Sequence, residues 1–221
     1  MAQRILAVIR DVYSNQGVQA VAALGLKKIV RPVARVGSLY FLERDLSLPM
    51  PPLEPSGTIM AREGTLDDIE LLNVLPDTAR HKKQAVDRLM RGDHWFIGVD
   101  RETGKLTNQR WVSLTRTFIP ELNRDLVVQP GQAYVYDLET TPEFRRRGLD
   151  ATMRQFTYHT LARQYGVRKI VVYICADNYA SLRAGRQYLT TICRVWFAQV
   201  GRSALIFARK DHRMPDLRSA A

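Results

Sequence analysis

Two residues of the 221 are cysteine, Cys175 and Cys193, and they form no CxxC motif. Both sit in apolar, β-branched runs, so a disulfide-built scaffold or a thiolate zinc module is not expected. The thiols read as reduced, as in a cytoplasmic protein. Histidine is as scarce: His81, His94, His159 and His212 share no ligand spacing, and no metal is expected. No apolar run approaches the roughly 20 residues of a membrane span. The N-terminus has no continuous apolar core before a cleavage site, so no signal peptide is expected. Internal repeats and low-complexity tracts are absent. So are RNA-recognition signatures with interleaved aromatics, which argues against a specific nucleic-acid partner.

Positive charge is abundant. Thirty-three Lys and Arg stand against 22 Asp and Glu, a formal net charge of +11. The excess is uneven: residues 141–221 carry 15 basic against 5 acidic groups, whereas residues 56–140 carry 11 against 13. A field confined to one half of the chain favours an anionic partner there. A phosphorylated cofactor, an acidic protein, nucleic acid and an anionic membrane all meet that condition.

The chain divides at a proline-rich stretch containing Pro49, Pro51, Pro52 and Pro55. Residues 1–55 read as an N-terminal helical extension with its linker, 56–210 as the main domain, and 211–221 as a frayed polar tail. Helices are expected over 5–13 and 18–33, and Val18, Val21, Ala22 and Ile29 share one face of the second. That face suits packing on the main domain, a homodimer contact, or peripheral contact with a membrane. Residues 38–42 read as a short strand. In the main domain, 58–62 is expected as a strand. Helix starts are expected at Thr65 and Asp77, the latter helix carrying Ala79, Val86, Leu89 and Met90 on one side. Residues 94–99 and 109–114 read as a hairpin. Residues 119–131 form a polar connection that could overhang a site.

The informative stretch follows. Residues 134–140 suit a strand, Pro142 ends it, and Leu149, Met153, Phe156 and Leu161 approximate helical spacing. Between them lies Arg145-Arg146-Arg147-Gly148. It sits where a helix presents unpaired N–H groups and its positive dipole end, an arrangement that suits a phosphate. Gly148 lets the backbone approach an anion closely. Residues 168–175 are a β-branched run, hence a buried strand. Asp177 and Asn178 can cap a helix over 179–188, and 190–200 with 202–209 read as a hairpin around Gly201.

In this order the chain resembles the GNAT superfamily of acyl-CoA N-acyltransferases, over about residues 57–210. The resemblance rests on Pro142-Glu143-Phe144 followed by Arg145-Arg146-Arg147-Gly148-Leu149-Asp150, and on Asn178-Tyr179-Ala180-Ser181-Leu182-Arg183. It implies an α/β (α+β) fold with a mixed, mostly antiparallel central sheet flanked by helices. It further implies transfer of an acyl group, most simply acetyl, from acetyl-CoA or another acyl-CoA to a small-molecule amine. By carry-over, Leu138, Glu139 and Thr140 would hold the pantetheine and the loop from Arg145 to Asp150 the pyrophosphate. Asn178 and Ser181 would reach the same arm. Two departures stand out. Asp150 occupies a place the family gives to Gly or Ala, and Gly185 the place of a frequent acidic Tyr. For the base, period-two geometry puts Asp137 and Glu139 on one strand face, and Glu139 is favoured. Tyr188, one turn beyond Gly185, is the candidate acid. A longer acyl chain from coenzyme A or acyl carrier protein, and a non-catalytic protein of this fold on an anionic surface, stay open.

Overall fold

The computed structural model describes residues 35–52, 57–200, 203–208 and 215–219. The helices expected over 5–13 and 18–33 lie outside these residues. In chain order the strands are β1 (Arg35–Asp45), β2 (Ile59–Gly64), β3 (His94–Asp100), β4 (Leu106–Ser113), β5 (Arg116–Ile119), β6 (Arg124–Val127), β7 (Gln132–Thr140), β8 (Lys169–Cys175), β9 (Thr190–Val200), β10 (Ser203–Ala208) and β11 (Asp216–Ser219). The helices are α1 (Thr78–Met90), α2 (Leu149–Gln164) and α3 (Tyr179–Gly185), with a 3-10 helix at Leu66–Val74.

Eight strands form one sheet in the order β10-β9-β1-β8-β7-β4-β3-β2. Its pairs are antiparallel except β7 with β8, which run parallel. The expected mixed, mostly antiparallel sheet is thus the one found. The short strand expected at 38–42 is eleven residues long and lies inside the sheet, between β8 and β9. Residues 35–45 are therefore part of the main sheet rather than of an extension, and the proline stretch interrupts the domain instead of preceding it.

One sheet face packs on α2. Leu149, Met153 and Leu161 fall on one helix side and bury against Phe96, Val112, Val135 and Ile170, the spacing of a core-facing stripe. The opposite face is covered in two places. The 3-10 helix and α1 cover Trp95, Ile97 and Trp111, whose two indoles stack at 5.4 Å and 5°. The second cover is a small sheet, β11-β6-β5, which places Ile119, Leu122 and Leu126 on Tyr134, Val171 and Val195. Residues 119–131 therefore include a strand, and the expected frayed tail contributes β11, paired with β6 through Asp216–Ser219. The inward side of α1 also differs from expectation: Ala85 is buried, while Val86 and Met90 are 39% and 76% exposed. The helix lies on the 3-10 segment, which rotates its buried side away from those residues.

β7 and β8 keep register only from Gln132 to Tyr134 and then part. β7 also bulges. Gln109 of β4 faces Glu139, and Trp111 faces Tyr136, so Arg110 opposes two residues, Asp137 and Leu138. Asp137 takes a left-handed φ of 49°. A bulge bends and re-aims its strand, and here it opens a fork in the middle of the sheet.

Candidate active site at a strand fork

On the α2 side, β7 runs through Pro142–Phe144 into the basic loop. Arg145 donates from Nε to the Thr140 carbonyl at 3.0 Å, and the Arg147 guanidinium lies 5.1 Å from the buried Phe144 ring. These two arginines brace the loop. Arg146 and Gly148 both take left-handed φ values, 64° and 75°. The strained Arg146 backbone turns the chain into α2, whose first residues follow Gly148 as N-cap. A Cβ on Gly148 would meet nothing within 4 Å, so open space lies over the helix mouth.

Asp150, in the first turn, does not fill that space. Its Oδ1 accepts from Arg110 at 2.8 Å and its Oδ2 from Arg154 at 2.9 Å. Arg110 is 2% exposed on β4, and a second bond runs from its guanidinium to the Asp150 carbonyl at 3.3 Å. The carboxylate is thus bridged by two cations and drawn toward the sheet. Its repulsion toward a phosphate is offset, and an acid in a first helical turn also suits the dipole.

Across the fork, Asn178 caps α3. Its Oδ1 accepts from the Ser181 N–H at 3.2 Å, which leaves the amide N–H₂ group as the donor available to a ligand. The helix expected to reach Tyr188 ends at Gly185. Gly185 is buried, and a Cβ there would stand 3.1 Å from Ile174 Cδ1. Close packing of α3 on β8 therefore leaves no room for a tyrosine at that position. Tyr188 lies just beyond, its ring 3.8 Å from the Arg154 guanidinium of α2.

On the other face, the bulge breaks the expected alternation. Tyr136 donates to Asp93 at 2.7 Å, and Asp137 pairs with Arg88 of α1 at 2.6 Å. Glu139 accepts from Gln109 Nε2 at 3.2 Å, and Gln109 Oε1 in turn accepts from Trp95 Nε1 at 2.8 Å. Asp137 is therefore committed to a guanidinium, while Glu139 is held by a neutral amide at the fork. Leu138 is 49% exposed between them. Burial, and then the Asp93 hydrogen bond, push the Tyr136 phenol far up, so it stays protonated.

Leu138, Glu139 and Thr140 thus follow the bulge on β7, Arg145 to Asp150 lie at the mouth of α2, and Asn178 with Ser181 open α3 after β8. Tyr188 lies on the α2 side, against Arg154, whereas Glu139 is tied through Gln109 to Trp95 on the opposite face. Sequence reasoning missed Arg110 and Gln109. Their signal was the polar run Asn108-Gln109-Arg110 in a strand buried on both faces, where each such group needs a partner. Groups of His, Cys, Asp and Glu able to hold a metal are absent among the described residues. No helix among them is long and apolar enough to cross a membrane.

No family model matches the chain, and no curated protein matches it. Among solved structures it is similar to a tandem GNAT protein from the clavulanic acid biosynthesis pathway, at 15% identity and a TM-score of 0.54, over 84% of this chain and 58% of that one. A Drosophila protein matches at 12% identity and a TM-score of 0.52, over 86% and 58% of the two chains. A functionally unknown conserved protein from Staphylococcus epidermidis matches at 10% and 0.50, over 76% and 63%. The chain spans less than two thirds of the length of each. These likenesses show architecture alone, and by the match to the tandem GNAT protein the chain has a GNAT-like fold.

Proposed function

We propose that the chain is an N-acyltransferase that moves an acyl group, most simply acetyl, from a coenzyme A thioester to the nitrogen of an amine. The observation that carries this reading is the turning of Asp150 onto Arg110 beside an open fork. It leaves the mouth of α2 basic, roomy and rich in backbone N–H groups. The residues fit coenzyme A: the amides after Gly148, with Arg146 two residues before that glycine in the loop, suit a pyrophosphate. The β7 edge beyond Tyr134, free of β8, suits the amides of a pantetheine arm.

Glu139 is assigned as the base. It accepts a proton from the acceptor's ammonium, directly or through one water, and passes it to solvent. The freed nitrogen attacks the thioester carbonyl carbon, the carbon–sulfur bond breaks, and the thiolate takes a proton from Tyr188; the second proton that the nitrogen sheds on becoming an amide restores the Tyr188 hydroxyl through solvent. The products are an amide and the free thiol of coenzyme A. Placing both reactants in one fork supplies much of the rate, because a bimolecular step becomes effectively unimolecular.

The test is calorimetric titration of the full chain with acetyl-CoA, paired with a melting curve. Heat of binding that weakens with added salt and a raised melting temperature are expected. The absence of both heat and a thermal shift would overturn the reading.

A further inference from the structure

The fork has a second face, turned away from α2, and its chemistry differs from that of the loop. Tyr134 and Tyr136 of β7 stack at 5.3 Å and 8°, and Tyr134 stacks on Tyr173 of β8 at 6.0 Å and 16°. Three phenol rings thus floor the place where the strands part, two of them partly exposed. The turn joining β5 to β6 lays Glu121 over this floor. Tyr173 donates from its hydroxyl to Glu121 at 2.9 Å, and the Cys175 thiol donates to the other carboxylate oxygen at 3.9 Å.

Glu121 differs from its acidic neighbours. Asp93 pairs with Arg91 and Asp137 with Arg88. Glu121 is half-buried, and its bonds among the described residues come from two neutral donors. Glu139 likewise has an amide for a partner. A partly buried carboxylate without a cation is costly unless a ligand supplies one. The phenol of Tyr173 supplies no positive charge to the carboxylate, only a neutral hydrogen bond. Burial, and then Glu121 itself, push it far above its ordinary range, so it remains a donor. Among the described residues, one carboxylate with only neutral partners therefore stands on the β8 side of the fork and one on the β7 side, with the rings of Tyr173 and Tyr134 between them, while the Arg88 guanidinium already lies 5.1 Å from the Tyr136 ring. An ammonium is drawn to both kinds of group, by ion pairing and by the ring quadrupole.

We propose that the acceptor is an aliphatic diamine or polyamine. One nitrogen lies at Glu139 for acylation, the alkyl chain crosses the tyrosine floor, and a second ammonium is held by Glu121. Glu121 is then a specificity-determining residue that takes no part in proton transfer. This inference rests on the acyltransferase reading for its chemistry but not for its binding site. The strong positive charge of residues 141–221 does not oppose it, because the arginines that face coenzyme A lie on the α2 side of the sheet.

The experiment uses the full chain with acetyl-CoA and compares spermidine with butylamine, which has a single nitrogen. Wild type is expected to favour spermidine by about 100-fold in kcat/KM, the scale of one good charge-assisted contact. Glu121→Gln keeps the shape and still accepts from Tyr173. It is expected to raise the KM for spermidine about 100-fold, with kcat within two-fold and butylamine unaffected. Titration of spermidine alone gives a readout that needs no turnover, and Glu121→Gln is expected to abolish that heat. Equal use of the two amines, or an equal effect of Glu121→Gln on both, would overturn the proposal. So would the absence of spermidine binding to wild type. Spermidine binding lost in Glu121→Gln, in a chain that does not bind acetyl-CoA, would uphold the site and overturn the acyltransferase reading instead.

Discussion

The carboxylate of Asp150 lies 2.8 Å from the guanidinium of Arg110, a residue 40 positions earlier on a neighbouring strand. The pair makes an acidic side chain tolerable beside a phosphate site. Arg110→Met is expected to weaken acetyl-CoA binding about ten-fold, because Asp150 then keeps Arg154 alone. The double variant Arg110→Met with Asp150→Ala is expected to regain most of that affinity. Calorimetry on the wild type, both single variants and the double variant measures the coupling directly. Additive losses would break the link between the two residues.

Glu139 and Tyr188 are assigned unequal shares of the chemistry. An ammonium must lose its proton before attack, whereas a thiol of ordinary pKa near 8.5 leaves readily. Glu139→Gln is expected to lower kcat about 100-fold and Tyr188→Phe about ten-fold, with the affinity for acetyl-CoA unchanged in both. Steady-state rates with a fixed amine, beside coenzyme titrations, check the ordering. The phenylalanine ring can still carry Arg154, so its effect isolates the hydroxyl.

Gly185 gives a prediction against intuition. Placing at Gly185 the tyrosine that the sequence resemblance implies there is expected to harm the protein. A Cβ there already stands 3.1 Å from Ile174 Cδ1, and overpacking costs about 1–3 kcal/mol even for small insertions. The gain from replacing a helical glycine is at most about 1 kcal/mol. Gly185→Tyr is therefore expected to lower the melting temperature by several degrees without raising kcat.

The pair Arg62–Asp68 ties β2 to the 3-10 helix, with contacts of 2.7 and 2.5 Å and a further bond from the Thr65 N–H at 2.9 Å. The bonds from Arg62, ahead of those from Thr65, hold the Asp68 carboxyl below its usual range. A depressed folded-state value stabilises the fold above the unfolded pKa near 3.9, and that contribution is lost as pH falls through the folded value. Asp68→Asn is expected to cost about 1 kcal/mol at pH 7, and the difference from wild type is expected to shrink toward pH 3. Urea midpoints at the two pH values check the sign.

What could be read in advance was whatever is written in neighbouring residues. The strand before Pro142, the basic loop, α2 and the β-branched run of β8 follow from local periodicity and turn chemistry. The Asn178 to Arg183 motif capped its helix as such a sequence should. What stayed hidden depends on residues far apart. The bulge at Asp137 sets Glu139 and Asp137 on different tasks despite their spacing of two, because Arg110 opposes two residues. β5, β6 and β11 are four residues each, too short for alternation to mark them. Nothing near Asp150 announces its partner on β4.

The place of β1 bears on how the molecule is made. Its neighbours in the sheet are the late strands β8 and β9: Arg194 donates to Ser38 across a sequence separation of 156. A ribosome therefore releases β1 long before anything exists to flank it, and its buried Leu39, Phe41 and Leu42 must wait for β8 and β9. Such distant pairing slows folding and leaves an adhesive segment exposed during synthesis. Nascent chains halted before residue 190 should therefore be soluble only in the company of a chaperone.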